Sequence, residues 1–381
     1  MIERKTTRIV CERLASYPAV GLVGPRQSGK TTLARDIDGA YFDLEQEGDR
    51  LKLDLGWDSL VQSDGLVILD EAQACPEVFP RLRGAIDRDR GRKGRFLLLG
   101  SVSPELMVRV SQSLAGRLSL VELTPFLVDE LPETPVASLW LRGGYPEGAV
   151  LEPGRYPQWH RDYLELLSQR DLPAWGLPAS PQVTRRLLRM LAAVHGQLWN
   201  ASRVGKSMGL SYHSVNKYTD YLRGAFLIRS LPPYHANLRK RLVKSPKIYW
   251  RDAGLLHALL NVENEEELLH QPWVGASWEG FVIEQLLGAL IHRDLHCDPF
   301  YLRTHDCHEI DLVLDFGNRL WAVESKLTTN PTSGDLMRMN KTADLIRADM
   351  RILVSQTAEP VVQGNVVSCS LPWLLEHLGE L

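Results

Sequence analysis

Residues 24–31 constrain the fold more than any other part of the sequence. They read GPRQSGKT and match the pattern G-x-x-x-x-G-K-[ST] at every fixed position. The apolar run AVGLV before them predicts a buried strand, and TTLARDI after them predicts a helix. A loop in this context points successive main-chain N–H groups at one place and so forms a nest for phosphate oxygens. The sequence therefore predicts an α/β domain whose first strand-to-helix turn binds a nucleotide.

The nucleotide-binding residues follow from this pattern. Lys30 should reach the β- and γ-phosphates, and the Thr31 hydroxyl should ligate Mg²⁺. ATP is favoured over GTP because the chain contains no guanine-reading N-K-x-D motif. The residues expected to contact the nucleotide are Gly24, Pro25, Arg26, Gln27, Ser28, Gly29, Lys30, Thr31 and Thr32.

An acidic pair supports the same interpretation. The stretch GLVILDEAQ places four apolar residues directly before Asp70 and Glu71. A buried strand that ends here would deliver Asp70 to the Mg²⁺ ion and Glu71 to the attacking water. The alternative, a strand that simply ends in two solvated acids, is common but is disfavoured by the phosphate loop upstream. Together the two elements predict hydrolysis of a nucleoside triphosphate.

Two further positions follow along the chain. A third apolar strand, RFLLLGS, ends at Ser101, and Arg117 lies between a helical stretch and the apolar run 118–123. Because buried strands alternate with helices, the segment predicts a parallel sheet with helices on both faces.

The motifs GPRQSGKTTL, LVILDEAQ, LLLGS, SLAGR and GGYPE resemble those of a prokaryotic family. Its members are AAA-type P-loop ATPases with a C-terminal domain of unknown function that has a restriction-endonuclease-like core. The resemblance implies a catalytic role for Lys30 and Glu71, a sensor role for Ser101, and an arginine finger at Arg117. Such a finger acts on a neighbouring subunit, so a homo-oligomeric ring, possibly a hexamer, is expected. The alternative for Arg117 is a cation that only caps a helix end.

The middle of the chain changes character twice. Eight prolines between positions 131 and 181 indicate connectors around a small helical lid, whose helix should carry Trp159, Tyr163 and either Leu166 or Leu167 on one stripe. Residues 201–251 contain eleven Lys and Arg against one acid, Asp220, and their pattern of two helices and a hairpin predicts a winged helix. That charge excess favours DNA over a protein partner. The expected DNA contacts are Lys217, Arg239, Lys240, Arg241 and Lys244.

A second polar site is predicted in the segment HEIDLVLDFGNRLWAVESK. A two-residue turn at Gly317-Asn318 would place Asp311 opposite Glu324 and put the apolar side chains, Ile310 included, on one face. Facing carboxylates repel each other unless a metal ion lies between them.

The family resemblance extends to this hairpin. It implies a D…E-x-K site in which Asp311 and Glu324 hold Mg²⁺, Lys326 positions water, and Glu279 contributes a further carboxylate. Ser325, which should face the core, stands where such sites usually carry Val. Alternatives are a surface ion pair between Lys326 and Glu309, or a DNA-binding module that does not cleave.

These elements predict four domains. An AAA-type ATPase domain occupies residues 1–130, a helical lid 131–180, a winged helix 181–260, and a restriction-endonuclease-like domain 261–381. The expected function is Mg²⁺-dependent ATP hydrolysis that remodels or translocates DNA, possibly branched DNA such as Holliday junctions. An ATP-dependent switch for a protein partner and an ATP-gated nuclease remain alternatives.

Composition sets the remaining expectations. The chain has no run of eighteen apolar residues, so no membrane association is expected. Its charged N-terminus lacks a secretory signal, and its five scattered cysteines suit a reducing cytoplasm.

Overall fold

The computed structural model describes residues 2–101, 114–234, 244–304, 306 and 308–381. Two compact units divide the chain. The first holds the described residues up to Phe126 together with Gly224–Phe226 and Ile291–Arg293, and the second holds the rest.

The first unit is built on a five-stranded parallel sheet of order β2-β3-β4-β1-β5. Its elements are α1 (Thr6–Ser16), β1 (Ala19–Val23), α2 (Lys30–Arg35), β2 (Ala40–Asp43), α3 (Glu47–Gln62), β3 (Val67–Asp70), α4 (Val78–Arg88), β4 (Phe96–Gly100) and β5 (Leu118–Glu122). Strands β1, β3 and β4 are buried at every residue, as expected for strands covered on both faces. The predicted α/β fold with a parallel sheet is confirmed.

Helices dominate the first half of the second unit. They are α5 (Val136–Arg142), α6 (Gln158–Leu166), α7 (Leu172–Ala174), α8 (Pro181–Ala193), α9 (Ala201–Met208), α10 (Tyr212–Gly224), α11 (Ala253–Leu259) and α12 (Glu265–Leu269). In α6, the predicted stripe forms around Trp159, which stacks on Tyr163 with ring centroids 5.0 Å apart. Leu167 is buried and Leu166 is exposed, which resolves the choice that the sequence left open.

A helix-turn-helix and a two-stranded sheet follow, in the predicted order. Helices α9 and α10 are joined at Gly209, whose φ of +71° suits a glycine C-cap. Val204 on the first helix and Val215 and Leu222 on the second are buried. Strands β6 (Ile228–Leu231) and β7 (Lys247–Trp250) then pair antiparallel.

The C-terminal part is a six-stranded mixed sheet of order β12-β13-β11-β10-β9-β8. Its elements are α13 (Val274–Ile291), β8 (Asp298–Arg303), β9 (Glu309–Asp315), β10 (Leu320–Ser325), α14 (Ser333–Ile346), β11 (Met350–Ser355), β12 (Val361–Gln363), β13 (Val366–Ser370) and α15 (Leu371–His377). A helix, an antiparallel meander, a second helix and a parallel strand succeed one another. Helix α13 is long and apolar enough to cross a membrane, but 72% of it is buried in the protein, as in the core helix of a soluble domain.

The predicted hairpin register is confirmed. Leu320 pairs with Asp315, and Val323 pairs with Leu312. The glycine of the turn, Gly317, has a φ of +83°, which a side chain would strain.

The predicted division of this hairpin into one apolar face and one polar face is wrong. Ile310 shares a core cluster with Val313 and Ala322 instead of lying on the face of Leu312. Between the pairs Phe300–Val313 and Leu302–Ile310, two residues of β9 oppose a single residue of β8, and this bulge turns Ile310 to the other side. Both faces of the hairpin are therefore buried.

Candidate nucleotide site and carboxylate cluster

The loop after β1 is shaped by its glycines. Gly24 has a φ of +154°, and a Cβ atom there would lie 2.2 Å from the main-chain oxygen of Leu123. Gly29 has a φ of +98° and precedes the first helical residue, Lys30. Only glycine allows the chain to turn this tightly against β5 and enter the helix.

Lys30 is a buried cation inside this loop. Its Nζ atom donates to the main-chain oxygens of Gly24 at 3.0 Å and Pro25 at 2.8 Å. Burial lowers the pKa of the ammonium to about 8, against the attraction of Glu71 and Asp70. A desolvated ammonium beside a glycine turn is well placed for an anion, and it suits a triphosphate.

The acidic residues meet the loop at one edge of the sheet. Parallel strands end at the same edge, so the ends of β1, β3 and β4 come together there. Thr31 donates to Asp70 Oδ2 at 2.6 Å, and Ser101 donates to Glu71 Oε1 at 3.0 Å. Thus four predicted site residues form two hydrogen-bonded pairs.

The Thr31–Asp70 pair offers a hydroxyl and a carboxylate oxygen at one point, which is the donor set that Mg²⁺ prefers. The residues present therefore fit a magnesium ion held between the loop and β3.

The backbone at Glu71 is unusual. Its φ of +46° and ψ of +48° put a non-glycine residue in the left-handed region, directly after β3. Such conformations cost about 1 kcal/mol or more and concentrate at functional sites. The turn directs the carboxylate to Ser101 and to Gln73, whose amide also donates to it.

Two residues of this site were missed by sequence reasoning. Tyr41, on β2, donates to Asp70 Oδ2 at 2.6 Å, and burial raises the pKa of its hydroxyl. Gln73 holds Glu71 from the following turn. Gln73 belongs to the quoted stretch LDEAQ, so an amide two residues after Glu71 was a usable signal, whereas Tyr41 lies on a strand with no motif.

Arg117 lies just before β5 and pairs with a carboxylate of its own chain. Its Nε and Nη2 atoms donate to Asp87 Oδ1 and Oδ2 at 2.9 and 3.0 Å. This bidentate bond lowers the pKa of Asp87. The side chain is about one quarter exposed. The finger role remains a prediction.

Four carboxylates come close together in the C-terminal part, and each has a hydrogen-bond donor. Lys247 Nζ lies 2.9 Å from Glu279 Oε1 and 2.7 Å from Glu309 Oε1. Lys326 Nζ lies 2.7 Å from Glu324 Oε1. The Ser325 amide and hydroxyl donate to Asp311 Oδ2 at 2.9 and 3.0 Å. The side chains of Glu279, Asp311, Glu324 and Lys326 are thus near neighbours.

The electrostatics of this cluster are strained. Burial, reinforced by the Asp311 carboxylate, raises the pKa of Glu279 to about 7 and that of Glu324 to about 8. The Oε2 atom of Glu324 is buried and has no hydrogen-bond partner. Burial and the neighbouring carboxylate therefore favour the neutral, protonated forms of these two carboxyl groups.

Two expectations for the cluster changed. The alternative ion pair between Lys326 and Glu309 does not form, because Lys326 binds Glu324 and Glu309 binds Lys247. Ser325 does not merely face the core, since its hydroxyl binds Asp311. Within the described residues, no three His, Cys, Asp or Glu side chains are arranged to hold a metal ion. The carboxylates as arranged suit ammonium donors, and the Mg²⁺ role of Asp311 and Glu324 remains a prediction.

The basic segment 201–251 is less free than its composition suggests. Arg229 and Arg251 both bind Glu284, the latter at 3.0 Å, and Lys247 is buried. Lys217 and Lys244 are exposed, as DNA contacts require. Arg239, Lys240 and Arg241 lie outside the described residues.

Three family models match the chain. They are an AAA domain at residues 16–131, a domain of unknown function, DUF8612, at residues 134–266, and a domain of unknown function, DUF4143, at residues 274–374.

Two relatives and one solved structure are also similar to this chain. The uncharacterized proteins Mb2031c of Mycobacterium bovis and Rv2008c of Mycobacterium tuberculosis are each 38% identical over 344 residues, which cover 89% of this chain and 77% of theirs. The Walker-type ATPase PABY2304 of Pyrococcus abyssi is similar with a TM-score of 0.47 and 16% identity, over 68% of this chain and 96% of that one. The chain belongs to the family of these mycobacterial proteins and is an AAA-type P-loop ATPase with a C-terminal DUF4143 domain.

Proposed function

We propose that this ATPase is a Mg²⁺-dependent cytoplasmic enzyme that uses ATP hydrolysis to remodel or translocate DNA, branched DNA included. The observation that carries the DNA part is the helix-turn-helix α9–α10 with its following hairpin. The exposed lysines Lys217 and Lys244 lie on the second helix and just before β7. Exposed cations on such a module neutralise backbone phosphates.

The roles in hydrolysis follow from the contacts at the sheet edge. Lys30 would bind the β- and γ-phosphates, and Thr31 and Asp70 would hold Mg²⁺, which neutralises phosphate charge. Glu71 would orient the attacking water, because its carboxylate is fixed by Ser101 and Gln73. Tyr41 would keep the Asp70 carboxylate in place.

The decisive experiment is the ATPase rate with single-stranded, duplex, nicked and four-way DNA. At least one form is expected to raise turnover several-fold, with an effect that weakens as salt rises. The variant Lys217→Ala/Lys244→Ala should lose most of this stimulation and keep its DNA-free rate. Turnover indifferent to every DNA form would favour the rival function, an ATP-dependent switch for a protein partner.

We also propose that Arg117 acts on the nucleotide of a neighbouring subunit in a homo-oligomeric ring. The bidentate bond to Asp87 holds the guanidinium of Arg117 in one orientation, and the side chain is partly exposed. Arginine fingers contribute about 10³–10⁵-fold to turnover in related chemistry. Exchange of Asp87 for the partner's phosphate would complete the site.

A mixing experiment tests this assignment. Lys30→Ala and Arg117→Ala proteins are each expected to be nearly inactive, and co-refolded mixtures are expected to regain turnover, because one supplies the finger and the other the nucleotide site. Asp87→Asn, which frees Arg117 without removing it, should remain active. Full activity of Arg117→Ala alone, or no recovery on mixing, would contradict the assignment.

A further inference from the structure

Lys247 is the most deeply buried lysine of the second unit's polar cluster. Its side chain is 3% exposed, and all four residues of its strand, β7, are buried. Lysine is almost never buried to this degree unless its charge is paired. Here the pairing is double, with Glu279 on α13 and Glu309 on β9.

The lysine enters the cluster from outside the C-terminal sheet. Strand β7 belongs to the two-stranded sheet that follows the helix-turn-helix, whereas its two partners belong to the DUF4143 region. Tyr249, two residues on, points the same way and also donates to Glu279. Strand β7 therefore provides two hydrogen-bond donors, Lys247 and Tyr249, to the Glu279 carboxylate.

The carboxyl groups around Lys247 outnumber the ammonium groups. Four carboxylates, those of Glu279, Glu309, Asp311 and Glu324, meet two ammonium groups, Lys247 and Lys326. Arg303 adds a looser contact of 3.6 Å to Glu309. Glu324 keeps one buried oxygen without a partner. Removal of Lys247 would leave Glu279 and Glu309 with no ammonium partner, which is most costly at Glu279, where burial already disfavours the charged form.

We propose that Lys247 is the built-in cation of this cluster and competes with a divalent metal ion for Glu279 and Glu309. The ammonium lies on the Oε1 atoms of both residues. A divalent ion bound to the same oxygens would have to displace the Lys247 ammonium, and the positive charge of the ammonium would repel it. Strand β7 therefore decides which cation the cluster holds.

The test is Mn²⁺ binding by the full-length chain, measured by calorimetry without nucleotide. Lys247→Gln is expected to bind one Mn²⁺ at least about 10-fold more tightly than wild type. Lys244→Gln, an exposed lysine three residues away, is the matched control and should bind as wild type does. Adding Glu309→Gln to Lys247→Gln should abolish the gain, because Glu309 is one of the two carboxylates in question, and this separates the cluster from the nucleotide site.

Stability provides a second measurement on the same variants. Mn²⁺ should raise the melting temperature of Lys247→Gln clearly more than that of wild type. If Lys247→Gln is unfolded without metal, recovery of a cooperative transition on adding Mn²⁺ supports the inference, and no recovery overturns it. A folded Lys247→Gln protein that binds Mn²⁺ no more tightly than wild type also overturns it.

Discussion

Replacement of Glu71 by Gln is expected to lower the rate of ATP hydrolysis by about 10²–10⁴-fold, the range for loss of a positioned acid–base group. Glutamine keeps the size and can still accept from Ser101, so the site should stay folded. ATP affinity should stay close to that of wild type, because Glu71 is not placed to bind the phosphates. The measurement combines steady-state turnover with nucleotide binding on the same preparation.

Lys30→Ala is the comparison that makes this result specific. Removal of the buried ammonium between Gly24 and Pro25 should weaken nucleotide binding itself, as well as turnover. Glu71→Gln should therefore behave as a binding-competent, slow enzyme, and Lys30→Ala as a protein that no longer binds. Unchanged turnover in Glu71→Gln would mean that another residue orients the water.

The second large effect is expected on stability, at Gly254 in α11. A Cβ atom there would lie 2.0 Å from the main-chain oxygen of Arg142, at the end of α5. Main-chain atoms cannot move aside as a flexible side chain can, so the helices would have to separate. Gly254→Ala should lower the free energy of unfolding by about 3 kcal/mol, at the upper end of the usual range for overpacking.

Gly275 provides a matched control for this substitution. It is also the second residue of its helix, α13, and a Cβ atom there would meet nothing within 4 Å. Gly275→Ala should be neutral or stabilising by up to about 1 kcal/mol, because alanine favours helix. Denaturant unfolding of both variants gives the comparison. Similar losses at the two positions would show that the contact with Arg142 is not responsible.

The parts of the nucleotide site that could be predicted from sequence are those fixed by strand ends. Asp70 and Ser101 each end or follow a buried apolar strand, and parallel strands bring such ends together. Tyr41 reaches the same carboxylate from the middle of a short strand, and no local pattern distinguishes it from a packing residue. Residues that meet only because of the order of strands in the sheet could therefore be predicted as neighbours only where a sequence motif identified them.

The C-terminal hairpin shows a similar limit. The turn at Gly317 fixed the register near it, but the irregularity between Phe300 and Leu302 depends on a third strand. The high positive charge of residues 201–251 also suggested a more basic surface than the structure shows. Lys247 and Arg251 bind acids far along the sequence, and a count of charges does not reveal their partners.

The ion pairs of Glu284 restrict how the two-stranded sheet can move relative to helix α13. The Glu284 side chain of α13 forms ion pairs with two arginines. Arg229 lies on β6, and Arg251 directly follows β7. Both strands of the two-stranded sheet, β6 and β7, are thus linked to helix α13. Separating either strand from the helix would leave the Glu284 carboxylate without one of its two arginine partners, which is costly for a buried charge. The two-stranded sheet and helix α13 should therefore move together.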